Sequence, residues 1–251
     1  MMRRRLVVGN WKMHGMNADL PKIREIAEGA AAIPGVDVAL CLPATLIERA
    51  HRVAPGLPIG GQDIHQKREG PYTGSVSAGM LLDAGARLSI VGHSERRAAL
   101  RESDADVRAK AETGFEAGLG VILCVGESAE VRRSGQAGAV VEAQLRACLP
   151  RGAVDDPFRL VIAYEPIWCI GTGTIPTSPE IMEMHAVLRS GLLAVFGPRA
   201  AEIRILYGGS VNAANARTIF ALPEVNGALV GGASLDSHEF TGILRAAAVQ
   251  I

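Results

Sequence analysis

The chain has 251 residues, of which 48% are hydrophobic and 21% are charged, so it has ample apolar material for a core. Its 26 basic and 26 acidic residues cancel, and only 4% of residues are aromatic. This composition argues against a nucleic-acid binder, which usually needs a basic face and stacking rings. The N-terminus lacks an apolar stretch of signal-peptide length, no segment is apolar enough to span a membrane, and the four cysteines include no C-x-x-C pair. These features predict a cytoplasmic protein without a membrane partner.

Short apolar runs recur along the whole chain at intervals of roughly thirty residues. There are eight of them: Leu6–Met13, Val36–Pro43, Pro58–Ile64, Leu88–His93, Gly120–Gly126, Leu160–Pro166, Arg204–Val211 and Gly227–Ser234. They are rich in Val, Ile and Leu and nearly continuous, as expected for parallel strands that are buried on both faces.

Segments with helical spacing lie between the runs. Ser178 is followed by Pro179 and Glu180, a typical helix start. The predicted helices are Leu20–Ala32, Ser103–Ala117, Ala129–Leu149, Ser178–Phe196, Ala213–Ala221 and about Ser237 to Ala248. Eight strand–helix units without a linker predict one domain over residues 1–251, an α/β fold in which eight parallel strands form a closed (βα)8 barrel ringed by helices. The alternative, an open doubly wound sheet, usually carries G-x-G-x-x-G after its first strand, where this chain has Asn-Trp-Lys-Met.

In such barrels the active site lies at the carboxyl ends of the strands. The polar or glycine residues at those ends are Asn10, Lys12, His93, Ser94, Glu95, Cys124, Gly126, Glu127, Glu165, Gly208, Gly209, Ser210, Gly231 and Gly232. Glycine lets several backbone N–H groups approach one oxyanion, so the glycine pairs near the ends of the last two runs predict a phosphate site.

The segment from Pro166 to Pro176 follows Glu165 directly and has a glycine-rich tip with proline near each end. This pattern is typical of a rigid lid that closes over a ligand and excludes water. The alternative is a static loop packed on the rim of the barrel.

Seven blocks of sequence resemble the triosephosphate isomerase family, in order from the first strand to the last. They are Asn10–Lys12, Gly92–Arg97, Cys124–Glu127, Ala163–Trp168, Ile170–Gly173, Tyr207–Val211 and Leu229–Ser234. The resemblance implies a TIM barrel that interconverts dihydroxyacetone phosphate and D-glyceraldehyde 3-phosphate through an enediolate, in glycolysis and gluconeogenesis. No feature of the sequence calls for a metal or an organic cofactor, and proton transfer next to a carbonyl needs neither.

The resemblance also implies a role for each residue of the site. Glu165 is the base, His93 is a neutral imidazole that polarises the substrate oxygens, and Lys12 meets the developing negative charge, as in the family generally. Substrate-binding residues are Asn10, Lys12, Gly171, Ser210, Gly231 and Gly232, and Glu95, Cys124 and Tyr207 support them. Glu127 and Arg97 are expected near the site or as a buried ion pair.

The segment around Thr73 resembles the family's dimer loop, which enters the active site of the neighbouring subunit and implies a homodimer. Five positions depart from the family pattern: Ser75 replaces a glutamate that pairs with an arginine near the His93 block, Leu88 a tyrosine, Cys169 an alanine, Thr174 a lysine and Asn226 an aspartate. All five leave the catalytic set intact.

Three other functions fit parts of the sequence. A sister isomerase acting on a tetrulose phosphate would use the same residues. A Schiff-base aldolase needs a lysine within the barrel, and Lys12 is the one lysine of four in a predicted strand. A non-catalytic scaffold would be expected to lose Glu165, His93 or Lys12.

Overall fold

Eight parallel strands close into a barrel in the computed structural model of the chain, which describes residues 4–150, 159–170 and 174–249. The strands, β1 to β8, are Arg5–Asn10, Val36–Cys41, Ile59–Gly61, Leu88–Val91, Gly120–Val125, Leu160–Tyr164, Arg204–Tyr207 and Gly227–Val230. They pair in chain order, and β8 returns to β1 with Gly227 opposite Leu6. The predicted closed (βα)8 barrel is confirmed, because an open sheet would leave β1 and β8 as edges.

The strands are buried on both faces because side chains alternate between two apolar layers. Val8, Ile122 and Leu206 point into the barrel and pack with one another in its interior. Their neighbours along the strands, such as Val7 and Leu123, face outward against the helices. This double burial explains why the strands are nearly continuous apolar runs in the sequence.

The helices form the outer ring. In the described residues α1 to α10 are Leu20–Ala31, Ala44–Val53, Ala78–Asp83, Ser94–Leu100, Asp104–Ala117, Ala129–Arg133, Ala137–Cys148, Ser178–Phe196, Ala216–Phe220 and Ser237–Ala248. Capping boxes start two of them: Ser103 exchanges hydrogen bonds with Asp106, and Thr177 with Glu180. No helix within the described ranges is long and apolar enough to cross a membrane.

The boundaries differ from the sequence prediction in three ways. Helices α2 and α3 were not predicted, because α2 begins directly after the run that ends at Pro43 and α3 is only 6 residues long. The predicted helix Ala129–Leu149 is two helices, interrupted where Gly135 adopts a φ of 73°. The first strand ends at Asn10, so Lys12 was wrongly placed inside it and instead lies in the loop beyond.

Candidate active site

Glu165 and His93 lie in contact at the carboxyl end of the barrel. Glu165 follows β6 and is 2% exposed, and His93 follows β4 and is 7% exposed. His93 Nε2 lies 3.0 Å from Glu165 Oε1. The backbone N–H and the hydroxyl of Ser94 donate to the same carboxylate at 3.0 and 3.2 Å. The buried carboxylate therefore has three donors around its two oxygens.

Glycines allow the backbone of Glu165 to sit close to its neighbours. Its N–H donates to the carbonyl of Val125 at 2.8 Å. A Cβ on Gly126 would lie 1.8 Å from the Glu165 carbonyl oxygen, and one on Gly208 would lie 3.1 Å from Glu165 Cγ. Glycine is therefore required sterically at position 126, and a side chain at 208 would crowd the carboxylate.

The two side chains shift each other's ionisation. Burial raises the pKa of Glu165, but the facing His93 and the Ser94 donors lower it, and the net pKa is below its ordinary value. Burial lowers the pKa of His93, whereas the Glu165 and Glu95 carboxylates raise it, and the net pKa is above its ordinary value. These shifts belong to the pair in contact and would change if Glu165 moved away.

The backbone around His93 favours one tautomer of the ring. His93 caps α4, and its Nδ1 accepts a hydrogen bond from the Glu95 N–H at 3.3 Å. A ring nitrogen that accepts carries no proton, so Nε2 carries the proton of a neutral imidazole and donates it to Glu165. The same N–H places the positive end of a helix against the ring, which disfavours imidazolium.

Lys12 reaches the site from the loop after β1. Its ammonium Nζ lies 2.6 Å from Glu95 Oε1. Its backbone N–H donates to Asn10 Oδ1 at 3.0 Å. Its side chain passes next to the end of β8, since a Cβ on Gly231 would lie 3.4 Å from Lys12 Cε. Asn10, Lys12 and Glu95 thus form one connected group beside His93.

A cavity of about 280 Å³ opens between these residues and the ends of β7 and β8. Its lining includes the polar residues Asn10, Lys12, His93 and Glu165 as well as Ser210, Gly231 and Gly232. A Cβ on Gly232 would meet no atom within 4 Å. The Gly231 turn is anchored, because Ser234 Oγ donates to its carbonyl at 2.7 Å. Gly171 lies outside the described residues.

The buried carboxylate of Glu127 anchors the segment that follows Glu165. Ile167–Cys169 form one turn of 3-10 helix. Glu127 Oε1 accepts hydrogen bonds from the Trp168 indole at 2.9 Å and from the Tyr164 hydroxyl at 3.0 Å. Burial raises the pKa of Glu127, and although those hydrogen bonds lower it, the net pKa is above its ordinary value. Cys169 lines the cavity and is buried.

Tyr207 ends β7 with a hydroxyl that is buried and lacks a hydrogen-bond partner among the described residues. A Cβ on Gly209 would lie 2.1 Å from that hydroxyl, so the glycine makes room for it. An unsatisfied buried hydroxyl is uncommon and calls for a reason. Residues 171–173 of the segment predicted to be a lid are outside the described residues.

Cys124 and Thr73, two of the predicted residues, do not line the cavity. Cys124 is buried inside the barrel among Cys41, Ala163 and their neighbours, and burial together with Glu165 raises its pKa. Thr73 is exposed and borders a second cavity, of about 620 Å³, with Gln62 and Arg96. Glu127 and Arg97 do not pair with each other in the described residues; Arg97 pairs with Asp104 at 2.7 Å.

Two of the departures have visible compensations. Arg96, near the His93 block, pairs within the chain with Asp63 at 2.8 Å and with Glu102 at 3.1 Å. Asn226 accepts from Arg189 at 3.2 Å, and Glu224 supplies the carboxylate to the same guanidinium at 2.8 Å. Both arginines therefore have carboxylate partners without Glu at position 75 or Asp at position 226.

The sequence reasoning missed Gln62, whose amide contacts both Asn10 and Lys12. The available signal was a polar residue inside the third apolar run. It also missed the bonds from Ser94 to Glu165, although Ser94 was among the strand-end residues.

The chain is similar to known triosephosphate isomerases in sequence and in overall structure. A sequence model of the triosephosphate isomerase family matches residues 5–247. The triosephosphate isomerase of Ruegeria sp. (strain TM1040) is 49% identical over 98% of this chain and 99% of that protein. That of Ruegeria pomeroyi is 51% identical over 98% of each. A crystal structure of triosephosphate isomerase from Bartonella henselae superposes with a TM-score of 0.90 and 42% identity, over 97% of this chain and 98% of that one.

Proposed function

The chain belongs to the triosephosphate isomerase family, and on that premise we propose that Glu165, His93 and Lys12 perform its reaction. The protein is an aldose–ketose isomerase, which is a kind of intramolecular oxidoreductase. It interconverts dihydroxyacetone phosphate and D-glyceraldehyde 3-phosphate in glycolysis and gluconeogenesis. The main support for this proposal is the contact between the buried Glu165 carboxylate and the His93 ring beside a cavity that is also lined by glycines.

Glu165 is the base. Its carboxylate takes a proton from the carbon next to the substrate carbonyl, and the C–H electron pair becomes the double bond of an enediolate. The carboxyl group then returns the proton to the neighbouring carbon. In the present arrangement the carboxylate is held by His93 and Ser94, so it must leave these donors to reach a substrate. Burial favours the proton transfer from the substrate carbon, because a desolvated carboxylate is a stronger base.

His93 donates from Nε2 to the substrate oxygens. When Glu165 turns to the substrate, His93 loses the main contact that raises its pKa. Burial and the Glu95 N–H then favour the neutral ring, as is general for this family. A neutral imidazole can protonate one enediolate oxygen and take the proton from the other.

Lys12 stabilises negative charge. Its ammonium lies close to the glycine turn after β8, where it can face both the enediolate and the phosphate. We assign the phosphate to the backbone N–H groups of Ser210, Gly231 and Gly232, with Gly171 of the lid added from the family pattern. Asn10 and Glu95 hold Lys12, while Tyr207 supports the lid and Cys124 packs behind Glu165.

We propose that the chain is a single catalytic domain that works as a cytoplasmic homodimer without a cofactor. Two apolar side chains beside Lys12 face outward: Met13 is 95% exposed and Met16 is 73% exposed. The loop that carries Thr73 is exposed as well. A second copy of the chain would bury such a surface, and a two-fold arrangement would bury it in both subunits.

The test of the base is Glu165→Asp, which keeps the charge and withdraws the carboxylate by one methylene. We expect kcat to fall by about 10² or more, because small misplacements of a reacting group are this costly. Inhibition by inorganic sulfate should be unchanged, since the anion site is intact. Glu130→Asp, an exposed position on α6, is the control. Full activity of Glu165→Asp would refute the assignment.

Substrate choice is tested separately, since a tetrulose phosphate isomerase would use the same residues. We expect kcat/KM to be clearly higher for the three-carbon phosphates. The relatives described above are triosephosphate isomerases, so the four-carbon alternative is not favoured. The aldolase alternative predicts a borohydride-trapped adduct on Lys12, and we expect none.

A further inference from the structure

Lys12 has an unusual backbone conformation for a residue with a long side chain. Its φ is 51°, in the left-handed region, where only three non-glycine residues lie in the described part of the chain. This conformation is disfavoured for L-residues and persists only when neighbouring groups hold it. Because the Cα–Cβ direction depends on φ, relaxation of this backbone would point the ammonium elsewhere.

One side chain contacts the loop on both sides of that residue. Gln62 lies directly after β3, and its Nε2 donates to the backbone carbonyl of Lys12 at 2.8 Å. The same nitrogen is 3.2 Å from Asn10 Oδ1 and 3.3 Å from the Cys41 carbonyl. Asn10 Oδ1 in turn accepts from the Lys12 N–H. The amide therefore fixes the Lys12 carbonyl directly and its N–H through Asn10.

All three groups that face Gln62 Nε2 are acceptors. The Lys12 and Cys41 contacts are backbone carbonyls, and Asn10 presents its oxygen because it accepts from the Lys12 N–H. Only a donor fits between three acceptor oxygens, which also decides the orientation of the Gln62 amide. An acceptor in this place would repel all three.

We propose that Gln62 is a positioning residue for the isomerase reaction, which holds Lys12 in its left-handed conformation and thereby aims the ammonium at the anionic substrate. The inference rests on the proposed role of Lys12. It predicts an effect on substrate affinity, because a misdirected ammonium weakens attraction for the phosphate as well as for the enediolate. A purely structural residue would change the amount of folded protein and leave the affinity of each folded molecule unchanged.

The experiment compares Gln62→Met with Gln66→Met. Methionine has a similar length and no donor, and Gln66 is an exposed glutamine in the same loop. We expect Gln62→Met to raise both KM and the inhibition constant of inorganic sulfate about tenfold, the size of one net hydrogen bond, and to lower kcat as well. Gln66→Met should match the wild type. Wild-type KM and sulfate inhibition in folded Gln62→Met would overturn the proposal.

A second variant provides a pH dependence of kcat/KM that a change in folding alone would not produce. In Gln62→Glu the carboxylate has no donor, but its protonated form has one O–H. Relative to wild type, kcat/KM of Gln62→Glu should therefore rise several-fold between pH 8 and pH 5.5, whereas that of Gln62→Met should stay flat. Equal pH profiles of the two variants would contradict the inference.

Lys12→Met separates the inference from the function on which it rests. If Lys12→Met keeps full activity and sulfate affinity, the proposed role of Lys12 is wrong. If Lys12→Met loses both while Gln62→Met retains both, the role of Lys12 stands and the positioning by Gln62 is wrong.

Discussion

His185 should make the protein lose stability between pH 6.5 and pH 4. It lies on α8, is fully buried, and packs edge-on against Tyr164 with ring centroids 5.9 Å apart. Its Nδ1 is 3.0 Å from the Glu224 carbonyl, and its Nε2 has no hydrogen-bond partner among the described residues. Burial lowers the pKa of His185 from 6.5 to about 4, although the Glu224 contacts oppose that change.

The sign follows from which state binds the proton. As pH falls through 6.5 the unfolded chain protonates this histidine, while the folded protein does not do so until about pH 4. The stabilising effect of the neutral ring is therefore complete above pH 6.5 and is lost as pH falls towards 4. The difference between the two pKa values corresponds to about 3 kcal/mol, with a slope of at most about 1.4 kcal/mol per pH unit.

The assay is urea-induced unfolding at one fixed protein concentration, from pH 7.5 to pH 4.5, for the wild type and His185→Asn. Asparagine does not titrate and keeps a donor for the Glu224 carbonyl. The variant has a smaller side chain and should be less stable at neutral pH, but its stability should fall less steeply below pH 6.5. Parallel curves for the two proteins would refute the reasoning, whatever their offset.

Three further variants test the site and its support. Gly232→Ala should fold as well as wild type, because the new methyl meets no atom within 4 Å, but should raise KM about tenfold by entering the anion cavity; an unchanged KM would remove Gly232 from the phosphate site. Gly126→Ala should lower the free energy of unfolding by more than about 3 kcal/mol, because the new methyl would clash with the Glu165 backbone. Gly79→Ala is the control, since its methyl would meet no atom closer than 3.8 Å. Equal urea midpoints of the two variants would contradict this prediction. Tyr207→Phe should leave the melting temperature equal or higher, since no hydrogen bond is lost, and lower kcat if the hydroxyl binds the closed lid; a drop of several degrees would show an undetected partner.

Local pattern was enough to predict the barrel. Strands buried on both faces must be apolar along their length, so each appears as a run, and the regular alternation with helical segments leaves few topologies. Fold alone would not reveal the chemistry. The chemistry was predicted because polar residues at strand ends break otherwise apolar runs, and because the blocks around His93 and Glu165 resemble one family.

Helix and strand ends were less predictable. Helix α2 begins within a few residues of the end of β2, so the apolar residues of the strand and of the helix form one stretch in which the helical period cannot be recognised. Lys12 was placed in a strand because Leu6–Met13 is a continuous run, whereas its left-handed φ breaks the strand. Such a conformation depends on groups that are distant in sequence and cannot be inferred from neighbours along the chain.

By itself the sequence determined the closed barrel, the family and the residue types at the site, because the apolar pattern and the glycine positions can be read from local segments. Tertiary structure alone decided which groups meet. Ser94 donates to Glu165 across 71 positions of sequence, and Gln62 donates to the Lys12 carbonyl across 50. Hydrogen bonds act over about 3 Å, so these partners are chosen only when the barrel closes and brings the strand ends together.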